Sequence, residues 1–121
     1  MLPAEILPKI KSYDFGHMVI GENQYTSDLI ILPDGRIISS WWRISGHRLQ
    51  SDDIQELIGM EPEVIIAGAG ALNFMKPAVE LKTYLAAKGI QFISEPTASA
   101  YKTYNQVRTM KKVGACFHLT C

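Results

Sequence analysis

The spacing of apolar positions changes character partway along the chain. From Phe15 to Ile44 they come in short runs broken by turn residues, which is the pattern of strands. "FGHMVIGENQYTSDLIILPDG" predicts two strands around a loop at Gly21–Asn23, the second covering Tyr25–Leu32 and stopped by Pro33-Asp34-Gly35. "RIISSWWRI", residues 36–44, predicts a third, rich in β-branched and aromatic residues. Alternation along it puts Ile37, Ser39, Trp41 and Arg43 on one face and Ile38, Ser40 and Trp42 on the other. Three strands joined by short turns form an antiparallel meander. Before them, Pro3 and Pro8 oppose helix, so residues 1–12 read as an extended arm leading into one domain, residues 13–121.

Beyond residue 50 the period lengthens. "SDDIQELIG" predicts a short helix, capped at Asp52, ended by Gly59 and apolar along Ile54, Leu57 and Ile58. "EVIIAG" is apolar at almost every position, as in a strand buried on both faces. "KPAVELKTYLAAKG" predicts a helix with Pro77 in its first turn and Ala78, Leu81 and Leu85 on one side. "IQFIS" is a strand, and "TASAYKTYNQVRTMKK" a helix capped at Thr97 with Ala100, Tyr104, Val107 and Met110 down one side. "VGACFHL" closes the series as a strand. Strand–helix–strand units with short joints imply parallel neighbours and right-handed crossovers. The fold class is therefore α/β: a central mixed sheet opened by an antiparallel meander, with parallel strand–helix–strand units in the second half.

Composition narrows the picture. A chain of 121 residues, 47% of them apolar, makes one ordinary globular domain with a real core. Twelve basic residues balance twelve acidic ones, which gives no basic excess for nucleic acid and little self-repulsion against association of copies. The basic residues of the last helix suit its C-terminal dipole without implying more. No apolar run is long enough to span a bilayer, and the N-terminal residues do not read as a secretory signal. Two cysteines five positions apart do not make a disulfide framework, so free thiols in a reducing, cytoplasmic setting are expected.

Three stretches carry candidate chemistry. In "IIAGAGALNF" a buried strand ends in Gly68-Ala69-Gly70 just before a helix, a turn that can be purely structural or can hold a small anion on backbone N–H groups. The third glycine of a dinucleotide site is absent; Asn73 stands there, and no phosphate-loop Lys-Ser/Thr pair exists. "WWRISGHRLQ" gathers Trp41, Trp42, Arg43 and His47: a core tryptophan beside a sheet-covering one, or an interface if either is exposed. In "VGACFHLTC", Cys116 and His118 share one strand face with Cys121 a turn away. A zinc site would need a fourth ligand from His17 or His47, without a Cys-x-x-Cys pair, so no metal is expected. Cys121 sits beside its own carboxylate and Cys116 suits a small hydrophobe, so no catalytic nucleophile is expected either. The acidic residues Asp52, Asp53, Glu56, Glu61 and Glu63 form no general acid–base couple.

The ending Phe117-His118-x-Thr120-Cys121, the Gly68-x-Gly70 turn, the Tyr104-Asn105 pair and Trp42-Arg43 followed by His47 together resemble one family over nearly the whole chain, from about Phe15 to Cys121. It is a family of small single-domain proteins of unknown function that includes the mitochondrial complex I assembly factor three and the adipogenesis-associated domain protein. The resemblance implies a three-layer α/β fold, brings no reaction or cofactor, and implies His118 and Thr120 hydrogen-bonded near the end of a sheet strand. With no Arg-rich transit segment, the chain is more similar to bacterial or archaeal members. Two functions follow as expectations. One is a non-enzymatic binding or assembly module that engages a protein partner or itself through Trp41 or Trp42. The other is a small-molecule or anion site at Gly68–Gly70, edged by Arg43, His47 or Tyr104.

Overall fold

The computed structural model describes residues 7–121, so the first half of the expected arm, residues 1–6, lies outside the described residues. Strand β1 (Ile10–Asp14) begins three residues earlier than the proposed domain start. It pairs antiparallel with β2 (His17–Ile20), which pairs with β3 (Asn23–Tyr25), a three-stranded meander. The run expected to be one strand over Tyr25–Leu32 breaks at residues 26–28. Its second half, β4 (Leu29–Ile31), leaves the meander for a five-stranded sheet and pairs with β5 (Ile37–Ser39). The third expected strand stops at Ser39, because Ser40 adopts φ +56° and turns the chain aside.

After a two-residue strand β6 (Arg48–Leu49), a 3₁₀ turn over Ser51–Ile54 runs into α1 (Gln55–Gly59). The carboxylate at its start is Asp53, not Asp52: its Oδ2 accepts from Gln50 N–H at 2.8 Å. Strand β7 (Val64–Ala69) is buried along its whole length. Lys76–Pro77 form a short β8 paired with β6, so the helix expected from Lys76 begins later, as α2 (Val79–Ala87). Strand β9 (Gln91–Glu95), α3 (Thr97–Val107) and β10 (Val113–His118) complete the chain.

The large sheet has the order β5-β4-β10-β7-β9, with β10, β7 and β9 parallel and β4 and β5 antiparallel to their neighbours. The path from β7 to β9 and the path from β9 back to β10 cross the sheet in opposite directions. Right-handed crossovers then require their helices on opposite faces, and α2 and α3 lie so. One core joins α1 and α2 to Ile65, Ala67 and Cys116; the other joins α3 and the meander to Val64, Ile66, Ala115 and Phe117. This is the mixed α/β sheet expected from the pattern of the chain, in the three layers that the family resemblance implied. Leu81 and Leu85, one turn apart on α2, are fully buried, each worth about 2 kcal/mol of apolar transfer.

Asn105 on α3 clips β1 to this frame. Its Oδ1 accepts from Ile10 N–H at 2.9 Å and its amide donates to Ile10 O at 2.8 Å, which satisfies both backbone groups of one strand residue. Asn105→Ala is expected to cost on the order of 2 kcal/mol, since it leaves the paired groups of Ile10 without partners. Urea unfolding checks the value, and unchanged stability would show β1 held by packing alone.

Candidate functional site

The polar break before β4 has a physical cause. Asp28 turns its carboxylate into the end of the sheet and accepts three hydrogen bonds: from Leu119 N–H to Oδ1 at 2.8 Å, and from Arg43 Nη1 and His118 Nδ1 to Oδ2 at 2.9 and 2.8 Å. Burial alone would raise its pKa, but the bonds from His118, Leu119 and Arg43 outweigh burial and hold the carboxyl below the usual range. Arg43 Nη2 also lies 3.2 Å from His118 Nδ1. One nitrogen cannot both donate to the carboxylate and accept from the guanidinium. The shorter contact and the charge of Asp28 put the proton on Nδ1. His118 Nε2 is buried and without a hydrogen-bond partner among the described residues.

The same guanidinium fixes the loop that carries it. Arg43 Nε donates to Gly46 O at 2.8 Å, and its charge lies 4.8 Å over the Trp41 ring. Trp41 is 7% exposed and donates from Nε1 to Asp53 O at 2.9 Å; Ile44 N–H donates to Asp53 Oδ1 at 2.9 Å. Held at Asp28, Gly46 and Asp53, the loop presents its next side chain, Trp42, outward at 86% exposure. Between the two tryptophans, Asp28 and His118 lies a crevice of about 360 Å³, edged by the hydroxyls of Thr26, Ser27, Ser40 and Thr120.

Other turns meet at this end of β10. Gly16 N–H donates to Leu119 O and Ala71 N–H to Thr120 O, both at 2.7 Å, which brings in the segments bearing the exposed Phe15 and Leu72. His47, itself exposed, packs its ring edge-on against Phe74 at 6.0 Å and His118 at 5.7 Å. The segments bearing the exposed Phe15, Trp42, Leu72 and Phe74 thus meet around the Asp28–Arg43–His118 cluster and form an apolar rim at this end of the sheet, with Ile44 exposed on the same loop as Trp42.

Of the residues singled out from sequence, Arg43, His47 and Gly70 converge on His118, while Tyr104 does not. It lies across the sheet with its ring edge-on to Phe117 at 6.3 Å. Burial pushes its hydroxyl pKa up. The two glycines face protein rather than open space. A Cβ at Gly68 would lie 2.6 Å from the Phe117 ring, and one at Gly70 would lie 2.7 Å from Thr120 O and 2.8 Å from Cys121 O. Thr97, expected as a helix cap, instead bridges these segments: its hydroxyl donates to His118 O at 2.6 Å and accepts from Gly70 N–H at 2.9 Å. His118 is hydrogen-bonded as the resemblance implied, whereas Thr120 takes part through its carbonyl and its residue is exposed. Burial pushes the Cys116 thiol up to about 12, far from thiolate chemistry at neutral pH. Sequence reasoning missed Asp28, whose only signal was an acid closing the polar stretch Thr26-Ser27 directly before the apolar run at residues 29–32.

A family model described as protein of unknown function (DUF498/DUF598) matches residues 10–118. The chain belongs to the DUF498/DUF598 family. Three solved structures place it among others of this fold. A conserved hypothetical protein of Pyrococcus horikoshii is 24% identical with a TM-score of 0.83, over 93% of this chain and 99% of that one. A Bartonella henselae protein described as an outer membrane protein is 21% identical with a TM-score of 0.78, over 95% and 97%. A Bordetella pertussis protein described as a Mth938-like domain is 18% identical with a TM-score of 0.71, over 98% and 90%. At these identities the likeness is one of fold. No helix among the described residues of this DUF498/DUF598 chain is long and apolar enough to cross a membrane.

Proposed function

We propose that this DUF498/DUF598 protein is a non-enzymatic binding module that docks through the Trp42-centred rim, and that its first partner is a second copy of itself. The observation that carries the reading is Trp42, 86% exposed on a loop whose base is fixed by the ion pair of Arg43 with Asp28 and its hydrogen bond to Gly46 O. A rigidly mounted tryptophan loses little freedom on binding and is a typical interface anchor. Phe15, Leu72 and Phe74 supply the surrounding apolar surface. Balanced charge, twelve acids against twelve bases, sets no like-charge barrier between copies. Closed two-fold pairs are the commonest way such a patch is covered. The resemblance to a family with a respiratory-complex assembly factor also fits a protein partner. Two free cysteines support a reducing, cytoplasmic setting.

An anion site at Gly68–Gly70 finds less support. The chain's own residues 118–121 fill the space beside Gly70, and the charge of Arg43 is matched by Asp28. The test is Trp42→Ala, sized by analytical ultracentrifugation beside the parent. Expected is a self-associating parent and a monomeric variant, with unfolding free energy within about 0.5 kcal/mol of the parent because the side chain is exposed. A monomeric parent that holds another protein through Trp42 would replace self-association with a foreign partner. A monomer that holds none overturns the docking reading.

A further inference from the structure

Next to the rim residues Leu72 and Phe74, but away from Trp42 itself, the adjacent parallel strands β7 and β9 diverge at their carboxyl ends. The chain leaving β7 passes to α2 on one face, and the chain leaving β9 passes to α3 on the other. Such a switch point between neighbouring strands opens a crevice, and it is where open α/β sheets receive ligands. On the α2 side of β9 the crevice widens into a groove of about 630 Å³. That falls within the span of small-molecule sites, roughly 300–1,000 Å³. The groove lies apart from the Asp28–Arg43–His118 cluster and shares no lining residue with it.

Its chemistry is two-sided. Met75, Ala86, Ile90 and Phe92 give it an apolar surface, and Lys76 and Lys82 supply its only charges. No carboxylate lines it, and neither lysine makes an ion pair among the described residues. The nearby acids are engaged elsewhere: Glu80 accepts from Ser51, and Glu95 from Thr103. Phe92 and Ser94 are alternate residues of β9, so both side chains point into the groove from one face of an edge strand.

The geometry points to a binding site for a small organic acid, a carboxylate carried on an apolar chain or ring. The carboxylate accepts hydrogen bonds from the Lys76 and Lys82 ammonium groups, and the apolar body lies over Phe92 and Ile90. Neither half suffices alone: two solvated lysines hold a bare anion weakly, and an apolar cation meets their repulsion.

The test titrates the full chain with octanoate and 3-phenylpropionate, with acetate and octylamine as controls, followed by amide chemical shifts. Expected is saturable binding of both acids with dissociation constants below about 1 mM, shifts centred on Met75, Phe92 and Ser94, and no saturation by either control. Lys82→Glu is expected to weaken octanoate on the order of tenfold, with Lys76→Glu as a second variant and thermal unfolding as a check that both remain folded. Trp42→Ala is expected to bind octanoate like the parent, which separates this site from the docking face. Acetate binding as well as octanoate, octylamine binding equally, indifference to both lysine changes, or no shifts in the groove at about 10 mM acid would each overturn the assignment.

Discussion

Replacing Asp28 by alanine is expected to lower stability by about 3 kcal/mol, near the lower end for breaking a buried ion pair because Asp28 keeps some contact with solvent. The change strands Arg43, whose side chain is only 6% exposed, together with the Nδ1–H of His118 and the N–H of Leu119. For a domain of this size it corresponds to a fall in melting temperature of roughly 10 °C. Asp28→Asn keeps the shape and an acceptor oxygen, and should fall between the two. Equilibrium urea unfolding gives the values; a loss under about 1 kcal/mol would mean the cluster does not anchor the loop.

The same carboxyl gives a pH signature. Its folded-state pKa lies below its unfolded value of about 3.9. Its contribution is therefore complete above that value and is lost as pH falls through it toward the folded pKa. Asp28→Asn should flatten this part of the acid limb, so that the gap between parent and variant narrows as pH falls below the unfolded value of about 3.9. A gap constant over that range would assign the acid transition to other carboxyls.

How far the molecule can be read from its sequence depends on the range of the forces involved. β7 and β10 were legible because a strand covered on both faces has to be apolar at nearly every position, and Val64–Ala69 and Val113–His118 are buried throughout. Asp28 was not legible. Its partners lie 15 and 90 residues away, so no local period marks it, and on a strand it counts as one more polar position. Thr97 misled for a similar reason: a helix start offers a threonine a local role, but two strand ends took its hydroxyl instead. The two tryptophans fall between these cases. Alternation set them on opposite sides, and one is buried while the other is exposed, yet the strand carrying that alternation ends at Ser39. What places Trp42 outward is the anchoring of Arg43, a tertiary contact invisible to periodicity. An acid set directly against a buried apolar run, as Asp28 is against residues 29–32, is the usable signal, since a carboxylate there needs a partner or solvent.

Gly70→Ala is expected to cost on the order of 3 kcal/mol and to reach the docking face as well as the fold. Gly70 has φ +95°, a region where a Cβ is strained, and its new methyl would meet the carbonyl oxygens of Thr120 and Cys121 and the His118 ring, all within 2.8 Å. Backbone does not rotate out of the way as a side chain can, so relief has to come from moving residues 119–121. That breaks the bond from Ala71 N–H to Thr120 O and loosens the attachment of Leu72, with the Trp42 loop disturbed through His118. Gly68→Ala is the control. It carries no positive φ, and its methyl meets side chains, the Phe117 ring at 2.6 Å and the Thr97 hydroxyl at 3.0 Å, a core overpacking of about 1–3 kcal/mol that does not press on the carbonyls of Thr120 and Cys121. Hydrogen exchange at Ala71 should therefore quicken in Gly70→Ala more than its global stability accounts for, and self-association should weaken with it. In Gly68→Ala, exchange at Ala71 should follow global stability alone. Equal behaviour of the two variants would mean that the tail is no part of what holds the rim together.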